Sequence, residues 1–394
     1  MKATRHRPDF LLFLVVILLS LIGLVSIYSA STILSFKQYD GDTSHYFMRQ
    51  LFFVAIGLFG MLITMNIPFQ TWYRLARPLF LLSYILLGLV LAIGLGKEDW
   101  GARRWISLGS FTFQPSEFAM LAIIIYLSYL LTRKQDRITE AKASFWPSVV
   151  LIGIGFGLIM LEPDMDTAVT FALCPLIVMF VAGVPFKYLR NLSILGIITC
   201  VPLALVGYRG DRIWSYWDPW KYVNDDGYQI IQSLYAIGSG GWTGRGLGHS
   251  IEKFSYLPEP HTDFIFAILS EEWGFIGGVF LIALYAILIW RGIHIATHVQ
   301  DRFASLVTIG VTSMIAIAVF FNIGSVTNLL PVIGVPLPFI SYGGTSLLVK
   351  MFGMGILLNI SRYTVKESEM PKESPTGAVR PVKPVPVRTS RFDT

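Results

Sequence analysis

Apolar residues in this chain occur in long runs that are separated by short polar stretches. A helix needs about 20 mostly apolar residues to cross a bilayer, and ten runs are at or near that length. The pattern therefore predicts an all-α polytopic membrane protein. The predicted spans are residues 10–30, 48–66, 78–96, 116–131, 147–161, 167–184, 192–206, 264–290, 304–325 and 345–360.

Composition agrees with this class. Hydrophobic residues make up 54% of the 394 and charged residues only 14%, whereas soluble domains have about 25% charged residues. The first run is longer than the apolar part of a signal peptide, roughly 7–15 residues, so we expect it to remain as the first helix. Cys174 and Cys200 both lie in apolar runs, which argues against a disulfide framework.

The distribution of lysine and arginine predicts the topology. If the N-terminus is inside, short inner loops hold thirteen of these residues and short outer loops hold four. Because cytoplasmic loops are enriched in lysine and arginine, we expect both termini to be cytoplasmic. The net charge of +6 lies at loops and the tail, so it reports topology and indicates no nucleic-acid partner.

This topology divides the chain into a transmembrane domain, 1–366, and a tail, 367–394. The tail is rich in proline and basic residues, and it is predicted to be a disordered cytoplasmic segment. The large loop 207–262, between helices 7 and 8, faces outward. It is rich in tryptophan and tyrosine, and residues 225–242 have the spacing of a short amphipathic helix.

The glycine-rich stretch "GSGGWTGRGLG" (238–248) lacks a phosphate-loop lysine followed by serine or threonine. It predicts a flexible turn and no nucleotide site. Ser255, His261 and Asp263 lie close together in sequence, but spacing alone does not define a catalytic triad, and none is predicted.

Asp263 stands directly before a long apolar run, and two interpretations remain open from the residues alone. A carboxylate there can cap the helix N-terminus, or it can act as a general base whose pKa is raised by burial. Arginines of the outer loops could clamp a phosphorylated substrate or contact lipid headgroups; they are Arg103, Arg104, Arg209 and Arg212.

Other ionisable residues lie within or beside the predicted spans. Glu117 opens the span 116–131, Lys350 lies in the last span, and "LEPDMDT" (161–167) holds three carboxylates. Ionisable residues in a membrane usually face a cavity or a partner, although the long Lys350 side chain could instead reach the surface.

The stretch "NLLPVIGVPLPFISYGGTS" (328–346) contains three prolines that forbid a regular helix. Non-helical backbone at membrane depth persists only when it is buried in protein or lines a water-filled cavity. We therefore expect this segment to line a cavity on the same side as Asp263.

Six motifs in order now resemble the SEDS family (shape, elongation, division and sporulation) over residues 5–365. They are "GARRWI", "QPSEF", "EPDMDT", "GYQIIQSLYAIGSGG", "PEPHTDFIFAILSEEWGFIG" and "LPFISYGG". The chain looks most like the FtsW and SpoVE branch and is also related to RodA. The resemblance implies ten transmembrane helices with both ends cytoplasmic, in agreement with the charge distribution.

The resemblance further implies a peptidoglycan glycosyltransferase of the bacterial cytoplasmic membrane, working at the outer face. The substrate would be lipid II, an undecaprenyl-pyrophosphoryl disaccharide-pentapeptide, joined into β-1,4-linked glycan strands. Asp263 matches the aspartate of the family's "TDF" motif. It would accept a hydroxyl proton or hold a divalent cation, Mg or Mn, and no evident metal-ligand cluster in the sequence separates these roles.

The residues expected to bind substrate follow from the same motifs and from the ionisable groups described above. They are Arg103, Arg104, Trp105, Glu117, Arg212, Glu259, His261 and Lys350. The implied partners are a class B penicillin-binding protein and other division or sporulation membrane proteins. Whether the role is in division, elongation or sporulation stays open.

The chain departs from the family pattern at three positions. Met120 stands where a lysine is usual, Asp166 stands in place of the glycine of "EPDLGT", and Asn328 replaces the glycine of "VTG". The first two changes make the surroundings of Glu117 more negative. We expect Lys350 to replace the missing lysine by pairing with Glu117, Asp164 or Asp166.

Two other functions compete with polymerisation. A lipid II flippase would use an alternating cavity and no single catalytic acid. A non-catalytic scaffold would recruit division or spore-wall enzymes through its loops and tail. Asp263→Asn discriminates the three, because a polymerase loses nearly all activity while a flippase slows only modestly and a scaffold tolerates the change.

Overall fold

The computed structural model describes residues 6–94, 103–108, 111–204, 208–223, 226–254, 257–258 and 260–365. The predicted tail, residues 367–394, lies outside the described residues. The described part contains twelve α-helices, one antiparallel hairpin and several short 3₁₀ or π-helical turns. The helices are α1 Phe10–Gln38, α2 His45–Asn66, α3 Phe69–Ile93, α4 Pro115–Arg133, α5 Trp146–Leu161, α6 Met165–Ala182, α7 Phe186–Ala204, α8 Tyr208–Trp217, α9 Asp226–Ser239, α10 Ile265–His298, α11 Arg302–Val326 and α12 Gly344–Ile360.

Within the described residues, nine helices are long and apolar enough to span a membrane: α1 to α6, with α5 extended by a π-helical turn from Ala141, and α10 to α12. The helix α7 corresponds to the predicted span 192–206. It is not among the nine, since its first turns carry Lys187, Arg190 and Asn191. The chain is thus a polytopic helical membrane protein, as predicted.

One helix boundary and one small element differ from the prediction. Helix α3 begins at Phe69, so the predicted start at residue 78 is wrong, and Pro78 lies inside the helix. The charged residues Arg74 and Arg77 were assigned to a loop but are exposed on α3, where long side chains can extend to a polar surface. The hairpin of β1 (Ile106–Leu108) and β2 (Phe111–Phe113) was not predicted.

The centre of the bundle is formed by helices α4, α11 and α12, whose spanning segments are mostly buried, whereas those of α3 and α5 are mainly exposed. A central helix has no lipid-facing side, so a polar group on it must find a partner inside the protein. This places Glu117 of α4, Asn322 of α11 and Lys350 of α12 in the interior of the bundle.

The two ends of the described chain meet at one end of the bundle. The backbone N–H of His6 donates to the carbonyl of Arg362 at 2.8 Å, and the N–H of Asp9 donates to the Ser361 hydroxyl at 3.0 Å. Asp9 also forms an ion pair with Arg291 of α10. Both ends of the described chain therefore lie at the same end of the bundle.

Helix α10 is broken at Gly274, which has φ 69° and ψ −168°. The segment before the break is buried inside the protein, while Phe275 and Ile276 after it are more than half exposed. The predicted span 264–290 is therefore two pieces. The first, 265–273, packs within the protein, and the lipid-facing helix begins after Gly274.

The glycine-rich stretch 238–248 packs against this break rather than being a flexible turn. The N–H groups of Arg245 and Gly246 each donate to a carbonyl of the first α10 segment at 3.0 Å. In return, the N–H groups of Phe275 and Ile276 donate to the carbonyls of Gly241 and Trp242, at 2.8 and 3.1 Å. The break thus exchanges helical hydrogen bonds for bonds to the loop, which leaves its buried backbone groups satisfied.

Candidate active site

A cavity of about 950 Å³ opens at the end of the bundle opposite Asp9 and Arg362. Its wall combines the start of α2, the hairpin, the first turns of α4 and α6, the residues before α10, and the irregular segment between α11 and α12. That segment contributes residues 331–334, 336 and 342–343. The expectation that it lines a cavity together with Asp263 is confirmed.

Asp263 lines this cavity from the turn that precedes α10. The N-cap position of α10 is Phe264, with no side-chain cap bond, so the capping interpretation of Asp263 loses its basis. The backbone of Asp263 is fixed by the Asn322 amide, which donates to its carbonyl at 2.8 Å. The residues that follow, from Phe264 to Leu269, are buried, so the turn that carries Asp263 is anchored in the protein interior.

Asp166, in the first turn of α6, lies across one glycine from Asp263. Its Oδ2 accepts a hydrogen bond from the Gly334 N–H at 3.2 Å. A Cβ on Gly334 would be 3.4 Å from Asp166 Oδ2 and also 3.4 Å from Asp263 Oδ2, so the two carboxylate oxygens are separated by at most twice that distance. The departure from the family pattern thus places a second carboxylate in the cavity wall, beside Asp263.

Lys350 of α12 pairs with Glu117 of α4, at 3.5 Å between Nζ and Oε1. It also donates to the Ser346 hydroxyl. The Lys350 side chain is only 4% exposed, so the interpretation that it extends to the membrane surface is wrong and the predicted pairing with Glu117 is confirmed. Glu117 lines the cavity.

Arg104 is held by the acidic turn before α6 and also lines the cavity. Its guanidinium donates to the carbonyls of Pro163 at 2.5 Å and Glu162 at 3.3 Å, and lies 3.8 Å from the carboxylate of Asp164. Asp164 in turn caps α6 by accepting from the Thr167 N–H. With 27% of its side chain exposed, Arg104 remains accessible from the cavity.

Burial dominates the titration of this turn. It raises the pKa of Asp164, although the Arg104 guanidinium opposes the rise. Burial and the neighbouring Asp164 raise the pKa of Glu162 to about 8. Glu162 is completely buried, and both of its carboxylate oxygens are without a hydrogen-bond partner among the described residues. At neutral pH we therefore expect Glu162 to be largely protonated.

Of the remaining residues predicted to bind substrate, one lines the cavity, and the others lie away from it or outside the described part. Trp105 lines the cavity, whereas Arg103 is exposed and does not. His261 is buried, with its ring centroid 4.6 Å from that of Tyr46 and 5.5 Å from that of Tyr342, so the structure places it behind the wall. Arg212 lies in α8 but its side chain is outside the described part, as are Glu259 and Ser255 altogether.

Sequence reasoning missed Arg49 of α2, which also lines the cavity. The available signal was an arginine inside a predicted membrane span, the same signal that marked Lys350. Gln114 and Gln229 also line the cavity; as neutral polar residues at helix starts they carried no distinguishing pattern.

Among the described residues, no group of three or more His, Cys, Asp or Glu side chains is placed to hold a metal ion. The cavity does offer carboxylate oxygens at Asp166 and Asp263. Magnesium is commonly bound through one or two carboxylates together with substrate phosphates and water. Asp263 is therefore a fitting donor for a hard cation that arrives with a diphosphate, whereas the Gly334 backbone lies between it and Asp166.

Comparison with known proteins gives a consistent result. The family model for cell cycle proteins of the FtsW, RodA and SpoVE type matches residues 9–366. Stage V sporulation protein E of Bacillus subtilis (strain 168) is 45% identical over 92% of this chain and 100% of its own length. The probable peptidoglycan glycosyltransferase FtsW of Trichlorobacter lovleyi is 42% identical over 90% of this chain and 93% of its own. A chain in a solved peptidoglycan synthase complex that coordinates polymerization and crosslinking matches with a TM-score of 0.74 and 28% identity, over 91% of this chain and 99% of that chain.

Proposed function

The chain belongs to the FtsW/RodA/SpoVE family of cell cycle proteins, and from this we propose that it is a peptidoglycan glycosyltransferase that polymerises lipid II with Asp263 as its base. The single observation that carries the proposal is the position of the Asp263 carboxylate in the wall of a cavity of about 950 Å³, at the helix ends. A lipid-anchored substrate can present its sugars there while its tail stays in the bilayer. The names of the curated relatives support the reaction class.

In the proposed reaction, the C4 hydroxyl of one glycan attacks the anomeric carbon of a second. The new O4–C1 bond forms as the bond from C1 to the pyrophosphate oxygen breaks, with inversion at C1. The leaving group is undecaprenyl pyrophosphate, and the Asp263 carboxylate accepts the hydroxyl proton. A positioned general base of this kind contributes about 10²–10⁴-fold to a rate.

Two arginines in the cavity wall suit the negative charge that develops on the leaving pyrophosphate. Arg49 and Arg104 both line the cavity, and guanidinium groups form strong charge-assisted hydrogen bonds with phosphate oxygens. If Asp263 instead held a Mg or Mn ion, that ion would supply a Lewis acid next to the same phosphates. We assign diphosphate binding to the arginines and proton acceptance to Asp263.

We place the cavity at the outer face of the bacterial cytoplasmic membrane. The ends of the described chain lie at the opposite end of the bundle, and the distribution of lysine and arginine supports a cytoplasmic position for that end. The similarity to a chain of a peptidoglycan synthase complex supports a class B penicillin-binding protein as the partner. The strand made by this chain would then be crosslinked by that partner, in division or in spore-wall synthesis.

The test is the formation of glycan strands from labelled lipid II by the purified chain in complex with its transpeptidase, resolved by gel. We expect polymer from wild type and at least about 100-fold less from Asp263→Asn. Asp301→Asn is the matched control, since Asp301 caps α11 at the far end of the bundle and asparagine is also a good cap.

Equal amounts of polymer from wild type and Asp263→Asn would show that Asp263 is not the catalytic base. No polymer from either, with the complex demonstrably formed and Asp301→Asn also inactive, would favour lipid II transport or a scaffold role. A vesicle assay for lipid II translocation then separates these two.

A further inference from the structure

Asp166 is joined to the cavity wall by a hydrogen bond that its role in α6 does not require. The first turn of α6 is already capped by Asp164, which accepts from the Thr167 N–H at 3.3 Å. The Asp166 carboxylate instead accepts from the N–H of Gly334, which lies far along the chain in the segment between α11 and α12. This bond links the start of α6 to a piece of irregular backbone.

The same segment is fixed from its other side by α11. The Ser325 hydroxyl accepts from the Ile333 N–H at 3.1 Å and donates to the Pro331 carbonyl at 3.0 Å. The Asn322 amide donates both to the Val335 carbonyl, at 2.9 Å, and to the Asp263 carbonyl, at 2.8 Å. Asn322 thus ties the backbone of the catalytic aspartate to this segment.

Gly334 lies between the contact from Asp166 on one side and the contacts from α11 on the other. It is also next to the Asp263 carboxylate. A Cβ at Gly334 would be equally close, at 3.4 Å, to the Asp166 and Asp263 carboxylates. The backbone at Gly334 therefore occupies the gap between two acidic side chains. A shift of this backbone would change what packs against Asp263 and would move the cavity wall.

We propose that Asp166 is a positioning residue for the proposed polymerisation: its hydrogen bond to Gly334 orders the segment 331–336 and so holds the wall of the cavity against Asp263. The inference rests on the proposed function for its kinetic part, and on geometry alone for its structural part. A mispositioning of about 1 Å near reacting groups can lower a rate by as much as 100-fold, so one lost anchor is enough for a measurable effect on turnover.

The first test measures initial rates of glycan formation against lipid II concentration for wild type, Asp166→Ala and Asp166→Asn. Asparagine keeps a carbonyl oxygen that can accept from the Gly334 N–H, whereas alanine has none. We expect Asp166→Ala to lower kcat about 10-fold with KM within about 2-fold, and Asp166→Asn to keep at least half of the wild-type kcat. Asp136→Ala, at an exposed site in the turn after α4, is the control and should leave both constants unchanged.

The second test is amide hydrogen exchange over residues 331–343 in the same proteins, which requires no turnover. Faster exchange in Asp166→Ala, returning to the wild-type rate in Asp166→Asn, is the expected result. Wild-type kcat in Asp166→Ala, a loss of kcat in both variants alike, or unchanged exchange in Asp166→Ala overturns the proposal. Failure of the proposed function is distinguishable, because wild type would then form no polymer while the exchange result still tests the anchor.

Discussion

Lys350 and Glu117 form an ion pair, at 3.5 Å, between two of the most buried helices of the bundle. Neither side chain is more than 11% exposed. Removal of one partner of a buried pair leaves a charge without compensation, at a cost of about 3–5 kcal/mol. The stability of the protein with either one of these side chains therefore depends on the presence of the other.

We expect Lys350→Met to lower the free energy of unfolding by about 3–5 kcal/mol, because Glu117 stays buried without its cation. The double variant Glu117→Gln/Lys350→Met should recover most of this loss, since no buried charge remains. The measurement is a double-mutant cycle of reversible unfolding in bicelles or detergent. Additive losses in the double variant would show that the two side chains do not act as a pair.

A related variant tests whether Lys350 does the work of the lysine that is usual in the family at position 120. Met120 lies three residues after Glu117 on α4 and is buried, and side chains at this spacing are neighbours on a helix. Met120→Lys should therefore restore at least half of the stability lost in Lys350→Met. In the wild-type background the same change should destabilise, because it buries a second cation. If Met120→Lys restores neither the stability nor the polymer formation of the Lys350→Met protein, a lysine at position 120 does not replace Lys350.

Glu162 makes the stability of the protein depend on pH. Its pKa is about 8 in the folded protein against an ordinary value of 4.5, so between these values the folded state binds the proton and the unfolded state has lost it. The contribution is fully present below about pH 4.5 and is lost as pH rises through about 8. Glu162→Gln should match wild type near pH 5 and exceed it in stability above pH 8.

The measurement for this prediction is the thermal unfolding midpoint of both proteins from pH 5 to pH 9 in one detergent. Asp164, whose pKa is also raised by burial, contributes a slope of the same sign and is unchanged in the variant. The difference between the two proteins therefore reports Glu162. Parallel curves over the whole range would mean that Glu162 ionises normally.

The helices and the cavity-lining segment were predictable because their causes are local. Runs of apolar residues specify the spans, and Pro331, Pro336 and Pro338 exclude a helix wherever the fold brings them. The Lys350 pairing was also within reach, because a buried ammonium must find a carboxylate and few were available on that side. In each case a few neighbouring residues and one physical rule were enough.

The contacts that complete the site were not predictable, since each joins residues distant in the chain. Nothing near His261 indicates that Tyr46 and Tyr342 enclose its ring. The sequence showed Asp166 as an unusual carboxylate, but its position across Gly334 from Asp263 depends on how α6 and the 331–336 segment meet. The hairpin has strands of three residues each, too short for an alternating pattern to be recognised.

The break in α10 gives a last prediction, because the backbone of Gly274 is in a region that only glycine adopts readily. A Cβ at this residue would lie 2.2 Å from the Gly244 nitrogen, which no backbone adjustment of a few tenths of an ångström relieves. Gly274→Ala should lower the free energy of unfolding by about 3 kcal/mol or more through strain and displacement of the loop.

The matched control is Gly157→Ala, a helical position in α5 with nothing near the added Cβ, where the change should be neutral or slightly stabilising. Because the same loop packs on the segment that follows Asp263, Gly274→Ala should also lose polymer formation at temperatures where it remains folded. Normal activity and stability in Gly274→Ala would show that α10 can continue as an unbroken helix, and that the position of Asp263 does not depend on the break.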